Sequence, residues 1–495
     1  MTLTEHNQPT TAGTAEPRRL ATHLVGGREV PAAGRTFVRH DPTTGAPAWT
    51  VAAATVQEVT AAVDAATDAF RAWRATAPAD RAAALAQAAA AVRAAADDLG
   101  DLLTATTGRL RGQARETARV AADLLDEAAV TGLGPTGRTL AGAPAALDLV
   151  RREPHGVVAV LTPWNDPFPT AAGLLAAALV TGNTVVHKPS ERSAAPGWEM
   201  ARLVAAALPP GVLNVVNGDG ETGAALVADP RVALAAHVGS TAAGRAIAQT
   251  VAGHGGRVLL ENGGKDPIVV DAGVDPAWAA AQIATGAFTN TGQICTSVER
   301  VYLHEAVAAD VLAELVRIAE DMTVGDPADG ATDLGPLVDA EQLAVVTDQV
   351  AAARAAGAEC LTGGAQADGP GTFYPPTVLD ECTAEMAVMR EETFGPVAAV
   401  TRVPDFAAAL ELAGRGRYGL AATVLTPDLG HALQAADDLD VGTVKVNAVF
   451  GGAPGGSADP RRDSGMGAGY GPDLLAAMTA LKTVHVEPPG SAGGR

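Results

Sequence analysis

The chain has 495 residues, more than one hydrophobic core usually supports, and its apolar fraction of 47% is that of a globular protein, so two or three domains are expected. Thirty-five Lys and Arg stand against 56 Asp and Glu, a formal charge of −21, which repels nucleic acid and anionic membrane surfaces and leaves a small molecule as the expected partner. Three scattered cysteines, Cys295, Cys360 and Cys382, suit neither a disulfide framework nor a Cys-x-x-Cys metal site, so no metal is expected and a reducing, cytoplasmic compartment is.

The ends, residues 1–19 and 488–495, are rich in Pro, Gly, Thr or Ser and are expected to be disordered; the first twenty residues lack the apolar core of a secretion signal, and no apolar run has the length of a membrane span. Thr55 and Glu58 make a capping-box pattern. Val59, Val63, Ala66, Phe70 and Trp73 follow at three- and four-residue spacing, which predicts a helix. A second, Ala-rich helix follows Pro78, although alanine fits either face and blurs its limits. From Val130 to Val150 Gly and Pro interrupt the helical run, which reads as a strand hairpin or an interaction arm. Five short apolar runs come next, Val157 to Leu161, Thr184 to His187, Leu213 to Val216, Ala235 to Val238 and Val258 to Leu260, alternating with helical segments. This predicts a parallel α/β sheet, whose ligands bind beyond the carboxyl ends of the strands. A second α/β set starts at Pro267, with strands near Ile268 to Val270 and Val298 to Leu303.

The segments just after the strands carry the chemistry. Gly218-Asp-Gly-Glu-Thr-Gly223 fits the dinucleotide pattern G-x-G-x-x-G, but the acidic residue due at the end of the next strand is missing, so a plain glycine turn competes with that reading. Gly239-Ser-Thr-Ala-Ala-Gly244 is a better phosphate candidate, with an ordinary N-cap turn as its alternative. Thr162-Pro-Trp-Asn165 offers an amide donor for a developing oxyanion, and Lys188-Pro-Ser-Glu191 a cation and a carboxylate suited to ribose hydroxyls, or else a surface ion pair. Glu261 ends an apolar strand. Cys295 follows Gly292 in a segment that is neither clear helix nor strand; taken alone, Glu261 reads first as a solvated strand-end carboxylate and Cys295 as an inert thiol.

Together these segments resemble the aldehyde dehydrogenase superfamily from about Arg28 to Val486. Matching stretches, in the family's order, are Thr162-Pro-Trp-Asn165, His187-Lys-Pro-Ser-Glu191, Gly239-Ser-Thr241, Glu261-Asn-Gly-Gly-Lys265, Gly292-Gln-Ile-Cys295, Glu391-Glu-Thr-Phe-Gly-Pro-Val397, Tyr418-Gly-Leu420 and Val446-Asn447. The resemblance implies an α/β fold with a Rossmann-like cofactor domain of residues 20–129 and 151–260, a catalytic domain of residues 261–462, and small oligomerisation arms at 130–150 and 463–495, the latter including the C-terminal tail. It implies a homodimer or homotetramer.

It further implies that Cys295 attacks an aldehyde substrate, that Asn165 and the Cys295 amide hold the oxyanion, and that Glu261 activates water to hydrolyse the thioester. Trp164 and Ser240, with Gly239, would lie at the pyrophosphate, Lys188 and Glu191 at the adenosine ribose, Glu392 at the nicotinamide ribose and Phe394 at the nicotinamide. A carboxylate at Glu191 would repel a 2′-phosphate, so NAD is expected over NADP. The sequence departs from the family at Asp166, at His237-Val238 and at Ala458-Asp459-Pro460. With Thr170, Gly173, Ile294, Thr296, Gly452 and Ala458, Asp166 would line a roomy, partly polar substrate tunnel poor in aromatics, fit for an aldehyde larger than acetaldehyde. The runner-up is a semialdehyde or acyl-transferring dehydrogenase; a retired enzyme serving as a binding protein is the reading of a different class.

Overall fold

Short apolar strands without polar alternation can hide both faces only if they pair in parallel under a cover of helices. The five expected runs do so in a computed structural model that describes residues 17–134, 137–452 and 456–489. Val157–Thr162, Thr184–Pro189, Leu213–Val215, Val232–Val238 and Arg257–Glu261 are mutually parallel neighbours in an eight-stranded sheet. Antiparallel Thr22–Val25 and Arg28–Pro31 extend one edge, and Gly465–Met466 closes the other beside Arg257–Glu261. The second set is a seven-stranded sheet in which Asp266–Val270 and Val298–His304 are parallel neighbours near the centre.

The helix Val56–Ala75 begins as its capping box requires. Glu58 N–H donates to Thr55 Oγ1 at 3.3 Å and Thr55 N–H donates to Glu58 Oε2 at 2.7 Å, so each satisfies an amide the other leaves open. Pro78–Ala94, Ala96–Thr107 and Arg111–Thr131 then pack with Pro167–Val180 over one face of the first sheet. Ala88, Ala89, Ala114, Ala118, Ala121 and Ala122 are fully buried between them, because methyl-sized contacts let helix axes approach closely. The Trp73 indole N–H donates to the Leu179 carbonyl at 3.1 Å, and Arg81 Nε to the Val180 carbonyl at 2.8 Å, satisfying the buried end of the helix that leads back from the first site segment.

At the chain's periphery two expectations change and a third resolves to one of its alternatives. Residues 1–16 and 490–495 lie outside the described residues, but Arg18–Leu20 is a strand paired with Pro47–Ala52, with Leu20 buried, so order begins inside the expected tail. The interrupted stretch after residue 130 is a hairpin, Gly137–Thr139 with Leu147–Pro154, joined by the antiparallel strand Thr479–Val486. Residues 463–478, expected in the arm, instead rejoin the cofactor unit: Gly465–Met466 pairs with the strand that ends at Glu261, and Leu474 and Met478 enter the core under Pro167–Val180. Among the described residues no helix is long and apolar enough to cross a membrane.

Candidate active site

The carboxyl ends of the first sheet open on a cavity of about 670 Å³, walled on the far side by loops of the second sheet. Trp164, Lys188, Glu191, Gly239, Ser240, Glu392 and Phe394 all line it, with Asn165 and Cys295. The two glycine turns now separate. Asp219 caps Gly220–Ala228, taking the Glu221 N–H at 3.1 Å, so the G-x-G-x-x-G turn already holds a carboxylate where an anion would sit. Its Gly223 serves close packing, since a Cβ there would stand 3.2 Å from Leu161 and 3.5 Å from Lys188. The N-terminus of Thr241–Ala252, capped by Ser240 at 3.3 Å, faces the cavity along Ala243, Ala246 and Thr250, and its dipole favours negative charge there.

Lys188 is buried and is no surface ion pair: its Nζ donates to the Pro189 carbonyl at 2.9 Å and lies 3.5 Å from Glu191 Oε2. Burial lowers its pKa and Glu191 counters that. His237 is buried in the same wall with both ring nitrogens unpartnered, beside but not bonded to the Ser240 and Leu161 backbone. Burial first, and Lys188 second, push it down to about 4, so the ring is neutral and one nitrogen is a donor without an acceptor.

Cys295 stands behind three consecutive left-handed residues, Asn290, Thr291 and Gly292, at φ of 51°, 58° and 70°. A Cβ on Gly292 would overlap the Gly395 carbonyl oxygen, so glycine is required there. Gln293 holds the turn, its Nε2 donating to the Asn290 carbonyl at 3.1 Å and its Oε1 accepting from Val338 N–H at 2.9 Å. Asn165 Nδ2 donates to the Gln293 carbonyl at 3.1 Å, which sets its amide two residues from the thiol. The Cys295 thiol points at Glu261 Oε1 at 3.5 Å. Burial, then the Glu261 charge, raises the thiol pKa well above its ordinary value, and burial raises that of Glu261.

Lys265 and Glu299 join the two halves of the site. They lie at the starts of Asp266–Val270 and Val298–His304, almost fully buried, 2.6 Å apart. Glu299 also accepts from the Thr393 and Phe394 amides, both at 2.8 Å, and Lys265 donates to Thr393 Oγ1 at 2.8 Å. Phe394 is thereby held at a φ of 51°, with its ring edge-on to Trp164 at 5.4 Å. Glu392 accepts from Gly264 N–H at 3.2 Å, and burial with the nearby Glu299 charge raises its pKa.

On the other side of Cys295 the expected tunnel residues divide. Ile294 and Thr296 flank the thiol and are partly exposed, Asp166 and Thr170 lie together, and the Ala458 carbonyl accepts from Gly469 N–H at 3.1 Å, next to Glu261. Gly452 is exposed and a Cβ there would meet nothing within 4 Å, so nothing brings it into the wall. An aromatic stands among the residues expected to line the tunnel: Tyr470 sets its ring 3.6 Å from the point where a Cβ on Gly173 would stand, facing Thr170 and within electrostatic reach of Glu261, Cys295 and Asp166. Asp166 is paired with Arg109 at 2.9 Å. The sequence reading passed over Tyr470, Arg109 and Glu299. The signal for Tyr470 was its rarity, one of four tyrosines, in a glycine-rich segment; the partnership of Arg109 with Asp166 spans 57 positions and has no local signature.

The profile of the aldehyde dehydrogenase family matches residues 30–484. The α-ketoglutarate semialdehyde dehydrogenase of Haloferax volcanii is 37% identical over 82% of this chain and 88% of its own. The vanillin dehydrogenase of Pseudomonas fluorescens is 36% identical over 94% and 97%. Among solved structures, an NAD-dependent aldehyde dehydrogenase from Sinorhizobium meliloti superposes with a TM-score of 0.92 at 33% identity, covering 97% of each chain.

Removing one member of the Lys265–Glu299 pair leaves the other charged and buried. Lys265→Met is expected to cost about 3–5 kcal/mol and to lower the thermal unfolding midpoint, more than a substitution at exposed Lys482 does. A melt unchanged from that of the unaltered protein would show that the pair does not support this region.

Proposed function

Because the chain belongs to the aldehyde dehydrogenase family, NAD(P)-dependent enzymes that act on aldehyde groups, we propose that it oxidises its aldehyde to the acid through a thioester on Cys295, which water activated by Glu261 hydrolyses. The observation that carries the mechanism is the 3.5 Å contact of Cys295 Sγ with Glu261 Oε1 at the end of the cavity.

A thiolate formed alone in this buried site would be costly. Passing its proton to Glu261 keeps the pair's charge constant, so the nucleophile forms without adding net charge. Sulfur then bonds the carbonyl carbon, and the oxyanion accepts from Asn165 Nδ2 and the Cys295 amide. The dinucleotide fits the cavity on its unoccupied donors: the orphaned His237 ring, the Ser240-led helix end and buried Lys188 suit phosphates and hydroxyls. A nicotinamide dinucleotide held there would supply the acceptor for the hydride that leaves the hemithioacetal carbon. Glu261, having released the thiol's proton to solvent, next removes a proton from water, whose oxygen attacks the thioester; the carbon–sulfur bond breaks, the acid departs, and the proton now on Glu261 returns to the freed Cys295 thiolate. Burial raises the pKa of Glu261, which makes it a stronger base than an ordinary carboxylate.

Trp164 and Ser240 with Gly239 are assigned to the pyrophosphate, Lys188 and Glu191 to the adenosine ribose, Glu392 and Phe394 to the nicotinamide half. The exposed apolar residues Leu147, Leu481 and Val486 on the three-stranded arm support an interface between copies.

Glu261→Gln should lower steady-state turnover by about 10²–10⁴-fold, measured by NADH absorbance without an added thiol acceptor; full turnover would remove Glu261 from hydrolysis. kcat/KM should favour NAD over NADP by at least tenfold, because Glu191 faces the ribose, and equal values would refute that assignment. Light scattering should give the mass of a dimer or tetramer, and a mass of one chain would refute the arm's role.

A further inference from the structure

The wall of the tunnel is assembled from two segments that the chemistry above does not use. The first opens the helix Pro167–Val180. Asp166 occupies its N-cap position, where a carboxylate ordinarily accepts from the amide two or three residues on. Here the first and third helical residues are Pro167 and Pro169, which have no N–H, and Asp166 makes no capping bond. Its carboxylate turns away: Oδ1 accepts from Arg109 at 2.9 Å, and the same Arg109 nitrogen donates to the Asn165 carbonyl at 2.8 Å. Arg109 lies behind, with 10% of its side chain accessible against 39% for Asp166. The second segment is Gly469-Tyr470. Tyr470 packs over Gly173, where a Cβ would stand in ordinary contact with its ring at 3.6 Å, and its hydroxyl is toward Thr170. Tyr470 keeps 41% of its surface accessible.

The charges on this wall cancel. An ion-paired carboxylate offers little net field to draw a cation or repel an anion, but its second oxygen still accepts hydrogen bonds. A phenol and a threonine hydroxyl each donate and accept. Such a set is matched by hydroxyl groups, which do both, and is poorly matched by hydrocarbon, which would strip water from three polar groups and return nothing. Cys295 lies within electrostatic reach of both Asp166 and Tyr470, so the set would stand beside the carbon chain of an aldehyde bonded to the thiol.

We propose that Asp166, Thr170 and Tyr470 form a hydroxyl-reading collar beside Cys295, and that the substrate is an aldehyde hydroxylated on the first and second carbons after its carbonyl. This rests on the aldehyde-oxidising site proposed above. Tyr470 is then a specificity-determining residue: its ring narrows the tunnel at Gly173 and its hydroxyl reads the substrate.

The test compares glyceraldehyde with 2-methylbutanal, in which methyl groups replace both hydroxyls, using NAD and the full chain. The unaltered enzyme should show a kcat/KM at least tenfold higher for glyceraldehyde, since a site built for hydroxyls penalises their loss. Tyr470→Phe keeps the ring and removes one oxygen, and should lower that ratio at least fivefold; Asp166→Asn should lower it as well, with thermal unfolding used to verify that each variant is folded. A ratio at or below one in the unaltered enzyme, or a ratio that neither variant moves, overturns the collar. Oxidation of 2-methylbutanal but not glyceraldehyde also overturns it and leaves the aldehyde dehydrogenase reading standing. If no aldehyde in a broad panel is oxidised, both fall.

Discussion

The buried Lys265–Glu299 pair is the constraint on which the site depends. A carboxylate out of water must be neutralised and have its lone pairs filled. Glu299 meets this demand by taking one cation and two backbone amides, and those amides belong to Thr393 and Phe394, the loop that reaches the cofactor cavity. The cost of burying the charge is thus converted into a fixed loop. Phe394 can hold a left-handed backbone because its N–H is tied to Glu299 and its carbonyl accepts from Gln342 Nε2 at 3.1 Å. Trp164, from the first sheet, then meets Phe394, from the second, edge to face. The two sheets close on one cavity through that contact.

Much of this arrangement was legible in the sequence. The capping box at Thr55 and Glu58 is a four-residue rule and the structure obeys it. The five apolar runs could be read as parallel strands because they lack polar alternation, and the residues that follow them, Trp164, Lys188, Gly239 and Ser240, had to collect at one sheet edge. What could not be read lies in pairings across long separations. Arg109 and Asp166, Gly173 and Tyr470, and Glu299 with the Phe394 amide are each fixed by three-dimensional closure and leave no spacing to recognise. The roomy tunnel was inferred from small residues at Gly173 and Ala458, an inference that counts what a position loses and cannot see what another segment inserts. Arg18–Leu20 illustrates the same limit in reverse, since its composition suggests disorder while pairing with Pro47–Ala52 orders it.

The return of residues 463–478 to the cofactor unit has a chemical consequence. Ser464 Oγ donates to the Gly263 carbonyl at 2.8 Å and accepts from Gly419 N–H at 3.0 Å, and Asn262 N–H donates to the Ser464 carbonyl at 2.8 Å. This one buried serine therefore fastens the segment after Glu261 to Gly419, just ahead of the second sheet's strand Ala421–Leu425, and fixes where the chain that follows it starts. Gly469 passes Glu261 closely, a Cβ there standing 3.3 Å from Oε2, and Tyr470 comes next. General base and tunnel wall are thus set by neighbouring backbone.

In the proposed mechanism Cys295 and Glu261 act as one titrating unit. Each alone is pushed toward its neutral form by burial, Cys295 and Glu261 alike. Held 3.5 Å apart, they can carry a single negative charge between them, on sulfur when the carbonyl is attacked and on oxygen when water is. The strained turn at Asn290, Thr291 and Gly292 serves that unit. Residues in the left-handed region cost about 1–3 kcal/mol each when they carry side chains, and here the Gln293 bonds and the Gly292 approach to Gly395 hold them in place. A relaxed turn would move the thiol by a residue's length, and the shared proton would lose its second site. The strain is therefore tied to the same requirement as the burial: one charge, two atoms, and a distance short enough for a proton to pass between them.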